Sequence, residues 1–225
     1  MAEQITTLPV GKLGIIYTPG CEKLAEMVDA WIVKYRKEVE ATHQYGILFD
    51  GFKRDSYIIK TNFERFSSGE GKAVILESVR GYDIFILCDM FNYGITTSRF
   101  GIPNIPMSPD EHYANLKRVI SAIAGKAHRI TVIMPMLYEG RQHKRTSRES
   151  LDCAIALQEL CMTMGVDNII TFDAHDARVQ NAIPLNGFEN VTTMYQMIKA
   201  LVNNVPDLVI DKDHLTIISP DEGGV

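Results

Sequence analysis

The chain has 225 residues, room for one large domain or two small ones, and its 46% hydrophobic and 23% charged content is ordinary for a soluble globular protein. A net charge of −5 leaves no electrostatic footprint for nucleic acid, so an anionic substrate needs local basic groups or a metal. Cys21, Cys88, Cys153 and Cys161 show no CxxC spacing, and the chain has neither an apolar signal core nor a membrane-length apolar run, which argues for reduced thiols, a cytoplasmic location and no membrane partner.

Residues 13–17 (LGIIY) read as a short buried strand closed by Pro19-Gly20. Residues 21–39 follow with Leu24, Met27, Val28, Trp31, Ile32 and Tyr35 at helical spacing, and Trp31 is expected in the core. Residues 40–53 read as irregular and 56–61 as a strand. Two strand-like pieces, 63–66 and 72–76, flank the turn signal Ser67-Ser68-Gly69-Glu70-Gly71. That turn is either a plain hairpin tip or a loop offering Phe66 as a stacking face and Glu70 as an acceptor.

Residues 82–89 (YDIFILCD) form a strong buried strand, and 91–107 a long connection. Ser108-Pro109-Asp110-Glu111 starts a helix, with Ser at the N-cap, Pro first and acids in the first turn. It runs to about Ala124, stops at Gly125, and turns Leu116, Val119, Ile120 and Ile123 to a core. The strand 129–134 is broken by Pro135. The loop 136–150 concentrates Arg141, Lys144, Arg145 and Arg148 around Gln142 and His143, and its place at a strand's carboxyl end favours phosphate binding over a merely solvated basic loop. A helix over 148–164 packs through Leu151, Ala154, Ile155, Leu157, Leu160 and Cys161, and Gly165 stops it.

The stretch 168–180 (NIITFDAHDARVQ) is the centre of the reading. Its apolar strand ends in Asp173, His175 and Asp176, and alternation puts two polar side chains on one side of the chain. In open α/β sheets ligands sit outside the carboxyl ends of strands. A carboxylate and an imidazole there can hold a divalent metal or a metal–phosphate complex; alternatively the acids cap the next helix. After a short helix to about Ala182, residues 184–190 read as a loop, 191–202 as a helix and 215–219 (LTIIS) as a strand running into Pro220-Asp221-Glu222-Gly223-Gly224. Glycines there allow close approach to a phosphate. Alternating strands and helices from Tyr82 onward predict a largely parallel sheet with helices on its faces. No GxxxxGK[ST] and no GxGxxG occurs.

With these segments set out, the sequence resembles the ribose-phosphate pyrophosphokinase (PRPP synthetase) family over nearly its whole length. The motifs are Phe66-Ser67-Ser68-Gly69-Glu70, Glu77-Ser78-Val79-Arg80-Gly81, Pro135 with Gly140-Arg141-Gln142-His143 through Ser147-Arg148-Glu149, Asp173-Ala174-His175, and Ser219 through Gly224. The resemblance implies an α/β fold of two phosphoribosyltransferase-like halves with largely parallel sheets. One half spans residues 1–164; the second starts at 165 and is incomplete at its C-terminus. It implies transfer of the diphosphoryl group of ATP to ribose 5-phosphate, giving phosphoribosyl diphosphate and AMP, with Mg2+ as cofactor.

By motif match, His175 and Asp173 hold metal and ATP, and Arg141 and Gln142 contact ATP. Phe66, Ser68 and Glu70 approach the adenine from a neighbouring subunit, which implies a homo-oligomer with a shared ATP site. Asp221, Gly223 and Gly224 face ribose 5-phosphate, and His175 and Asp221 serve catalysis. His143 stands where the family has Asp, and Ser68 where Asn or Asp is common. The carboxylates that follow the histidine motif are replaced around Pro184 to Asn186, and residues 41–60 and 93–106 look longer than the common form. The family's mobile basic loop and ribose-phosphate loop fall beyond Val225, so a chain cut short and inactive alone is the expectation. The competing expectations are a non-catalytic regulatory or assembly homologue and, less favoured, a phosphoribosyltransferase acting on PRPP.

Overall fold

The structure is a computed structural model that describes residues 9–42 and 53–219. Its centre is a five-stranded, all-parallel sheet in the order β1 (Lys12–Tyr17), β4 (Tyr82–Leu87), β7 (Arg129–Met134), β8 (Asn168–Phe172), β9 (Gly187–Val191). These strands are rich in Ile and Val because both faces are covered, as parallel sheets require. Alternation sorts the side chains. Ile16, Ile84, Ile86, Val132, Met134 and Ile169 enter one core, while Ile15 and Leu87 enter the other.

The helices divide in the same way. α1 (Glu22–Thr42) packs on the Ile15 face through Ala25, Val28, Ile32 and Val33. α2 (Pro109–Ile123) and α3 (Asp152–Gln158), with the π-helical turn Glu159–Thr163 that extends α3, pack on the other face. The chain path explains the split. After α1, residues 57–59 run along the outer edge of β1, with Ile15 N donating to Tyr57 O and Ile59 N to Ile15 O, both at 2.8 Å. The winding then reverses toward β4, so right-handed crossovers place helices on opposite faces.

Two antiparallel hairpins stand outside the sheet. β2 (Thr61–Arg65) pairs with β3 (Gly71–Ile75), which packs on α2, and β5 (Thr96–Arg99) pairs with β6 (Ile102–Pro106). α2 starts as its sequence dictates: Ser108 Oγ accepts from Glu111 N, and the Glu111 carboxylate accepts from Ser108 N, a reciprocal cap.

Several sequence expectations need correction. Trp31 is 65% exposed and Tyr35 66%, because α1 turns Ala25, Asp29 and Arg36 inward instead. Asp29 accepts from Tyr57 N at 2.7 Å and Arg36 donates to Arg54 O at 3.1 Å, so hydrogen bonding to the edge segment fixes the buried face. Of the strand expected at 56–61, residues 56–60 make one isolated bridge and Thr61 begins β2. The connection 91–107 contains a hairpin, and the loop expected at 184–190 contains most of β9. There Gly187 lies so close to the Asn168 side chain that a Cβ would overlap it. The helix expected from 148 begins at Asp152, and Ile155 faces solvent. Residues 215–219 are not in a strand.

By packing, the chain forms two compact units, 1–191 and 192–225, and β8 and β9 hydrogen-bond into the same sheet as β7. The second compact unit, 192–225, contributes α4 (Met194–Asn204) among its described residues.

All four cysteines are free and buried, and burial pushes the thiols of Cys21, Cys153 and Cys161 up to about 11. They are poor nucleophiles in this setting. No helix among the described residues is long and apolar enough to cross a membrane.

Candidate functional site

Adjacent parallel strands β7 and β8 release their chains at the same sheet edge, so the loops that follow are neighbours. After β7 the chain turns through Glu139, whose φ of 53° is left-handed, and Gln142 N donates to Glu139 O at 2.8 Å. This turn presents Arg141 and Gln142 to solvent. His143 points inward, its Nδ1 3.1 Å from Arg141 O, and its side chain is only 10% exposed.

After β8, Asp173 also takes a positive φ, 42°, and its N–H donates to Val191 O at 3.1 Å. Ala174 N donates to Asn190 Oδ1 at 2.8 Å, so β9 anchors the turn that carries His175. Asp176 caps the 3-10 helix Ala177–Ala182 by accepting from Arg178 N at 2.9 Å, while the Arg178 guanidinium forks onto its carboxylate. Those bonds, with the nearby His143 as a lesser contribution, hold the Asp176 carboxyl well below the usual carboxylate range. The capping role weighed from the sequence thus holds for Asp176.

His143 joins the two loops. Its Nε2 lies 3.5 Å from Asp176 Oδ2, and its ring centroid is 5.0 Å from that of His175 at a 40° tilt. The sequence marks His143 only as a departure from a motif; its contact with the loop after β8 is a tertiary fact that no local pattern carries. The rim therefore assembles Arg141, Gln142, His143, Asp173, His175 and Asp176 from two strand ends. Lys144, Arg145 and Arg148 lie exposed further along the first loop. Asp221, Gly223 and Gly224 lie outside the described residues.

Among the described residues no three His, Cys, Asp or Glu side chains converge to hold a metal. Asp173 and His175, both exposed, offer one carboxylate and one imidazole. That donor set does not suit an ion needing a full protein cage. It does suit magnesium, which keeps several waters and takes one or two carboxylates beside phosphate oxygens. As a hard ion it favours the oxygen of Asp173 for direct contact over the nitrogen of His175.

The remaining motif sits on the β2–β3 hairpin. Phe66 N donates to Glu70 O at 2.8 Å and Gly69 N to Phe66 O at 2.9 Å, and Gly69 supplies a φ of +93°. Phe66 is 51% exposed, and Ser68 Oγ donates to Glu70 Oε2 at 2.9 Å, which orients that carboxylate. Arg65 ties the tip to α2, donating to Gly69 O at 3.1 Å and to Asn115 Oδ1 at 3.3 Å.

The chain is similar to known proteins over most of its length. A family model for the N-terminal domain of ribose phosphate pyrophosphokinase matches residues 15–165. The chain is 29% identical over 169 residues to ribose-phosphate pyrophosphokinase A of Dictyostelium discoideum, covering 74% of this chain and 46% of that protein. It is 29% identical over 172 residues to the ribose-phosphate pyrophosphokinase of Maricaulis maris, covering 76% of this chain and 49% of that protein. Among solved structures, phosphoribosylpyrophosphate synthetase from Mycobacterium smegmatis superposes with a TM-score of 0.63 at 20% identity, over 86% of this chain and 52% of that one. That likeness speaks for the fold. The chain spans about half the length of the curated relatives it matches.

Proposed function

The chain belongs to the ribose phosphate pyrophosphokinase family, and from that premise we propose that it forms the ATP-handling part of a ribose-phosphate diphosphokinase. The reaction moves the diphosphoryl group of ATP to the anomeric hydroxyl of ribose 5-phosphate and releases AMP. The observation that supports this reading best is the joining of the Arg141–Gln142 turn to the His175 turn through His143.

Phosphoryl displacement asks little covalent help of a protein. It asks for cationic groups around the transferring oxygens and in-line placement of the two reacting ones. Arg141 forks onto phosphate oxygens, and Gln142 supplies an amide beside it. Asp173 and His175 lie at the end of the adjacent strand, where a metal–phosphate complex would be held. Magnesium, when bound, neutralises charge on the phosphate oxygens. His175 then acts as an orienting or metal-shell group donating toward the phosphates. Phe66 covers the face of the adenine, and Ser68 and Glu70 meet its polar edge from a neighbouring copy. By motif match alone, Asp221, Gly223 and Gly224 are assigned to contact with ribose 5-phosphate.

The test is AMP release by the full-length protein. AMP should form from ATP only when ribose 5-phosphate and magnesium are both present. Equal AMP release without the sugar, or none with everything added, would defeat the assignment.

A further inference from the structure

The β5–β6 hairpin lies within the stretch whose length departs from the family pattern, and its tip presents an anomaly. The two strands are joined by Phe100 and Gly101, with φ of 49° and 79°, so the connection is a tight turn left-handed at both central positions. Asn, Asp or Gly is the low-cost choice at the first of these. The chain instead has phenylalanine, and burial does not compensate, because Phe100 is 79% exposed. An unfavourable backbone conformation retained on an unburied aromatic suggests that the ring is used from the outside.

The position of that ring is specific. Phe100 N donates to Ser67 O at 2.9 Å, and Ser67 directly follows Phe66. The Arg99 side chain lies against Gly69 and is itself anchored on Glu111 at 2.8 Å. The β5–β6 tip is therefore docked on the β2–β3 tip by a backbone hydrogen bond and a braced arginine. Two exposed phenylalanines, Phe66 and Phe100, stand on the joined tips.

We propose that Phe100 is a second base-contacting residue of the nucleotide site, so that the purine is held by Phe66 and Phe100 together. This rests on the reading above that Phe66 to Glu70 meets the adenine. Aromatic faces recognise the π-face of a base and have no affinity for phosphate, so the contribution belongs to the base alone.

The test is calorimetric titration of the full-length protein with ATP and, separately, with inorganic tripolyphosphate. Phe100→Asn is the informative variant, since Asn accepts the left-handed backbone and removes only the ring. Expected are about a tenfold weaker ATP affinity, the scale of losing one base–aromatic contact, an unchanged tripolyphosphate affinity, and a raised Tm. Phe66→Ala is the control for the underlying reading. If Phe66→Ala weakens ATP binding and Phe100→Asn does not, Phe100 is outside the site and the proposal fails while the nucleotide reading stands. If neither variant changes ATP binding, the nucleotide does not meet this tip and both fail. Equal weakening toward ATP and tripolyphosphate, or loss of a self-associated state in sedimentation with ATP affinity intact, would assign the ring to support of the site or to contact between copies, and would overturn the proposal.

Discussion

At the ends of β7 and β8 the side chains are linked through the Asp176 carboxylate, on turns that backbone bonds hold. Asp176 gathers Arg178 and His143, and His143 in turn lies against His175. At the paired hairpin tips the positioning is mostly done by the backbone. Phe66 N to Glu70 O, Gly69 N to Phe66 O and Phe100 N to Ser67 O set the turn, and Arg65 closes it onto Gly69 O. The comparison teaches what each region can deliver. An ionic rim can match and move charge, but it answers to pH and salt. A main-chain scaffold is nearly indifferent to both, and it suits the display of flat apolar faces.

If this division holds, substitutions in the two regions should fail in different ways. The largest effect belongs to the rim. His175→Ala should lower kcat by roughly two orders of magnitude, the scale of losing one transition-state contact, with ATP affinity changed far less. Steady-state kinetics of AMP release together with ATP titration would check this. Unchanged kcat would remove His175 from the site. The next effect belongs to the tip. Phe66→Ala should weaken ATP binding about tenfold with little change in kcat at saturating ATP. It should do so by the same factor at low and high salt, since no charge is lost. A large kcat defect in Phe66→Ala would show that the two regions do not divide the work.

The sequence carried the skeleton of this arrangement well. The strands at β1, β4, β7 and β8 and the capped start of α2 follow from apolar runs, from the Ser108-Pro109-Asp110-Glu111 signal, and from breaks at Gly and Pro. What it did not carry was decided by partners distant in the chain. On α1, Asp29 accepting from Tyr57 N and Arg36 donating to Arg54 O fix which face is buried, leaving Trp31 outside. β9 is short and polar and exists because β8 offers it an edge. The β5–β6 hairpin is obscured by Pro103 and Pro106 and by a turn residue, Phe100, that breaks the usual preference. In the candidate site, Arg141, Gln142, Asp173 and His175 were legible as motif residues at strand ends. The role of His143 as the link between the loops was not, because it depends on parallel pairing of β7 with β8.

The smallest expected effect tests the electrostatic side of the comparison from behind the rim. Glu139 precedes the Arg141 turn, and its carboxyl is raised above the ordinary 4.5 first by burial and then by the nearby acids Asp152 and Asp110, with Arg141 acting in the opposite sense. The native state therefore holds this proton when the unfolded chain has already released it. Stability falls as pH rises through the interval between the ordinary and the raised value, and the full cost is present above it. Glu139→Gln removes that cost while keeping shape and backbone. It should raise Tm at pH 7 by about 1–3 °C, which corresponds to less than about 1 kcal/mol for a chain of this size. Below about pH 4 the gain should vanish, because both states are then protonated in the parent. Thermal unfolding at the two pH values decides the matter: a gain of equal size at both would mean that the substitution acts through packing, and the rim would lose its claim to being linked by charge.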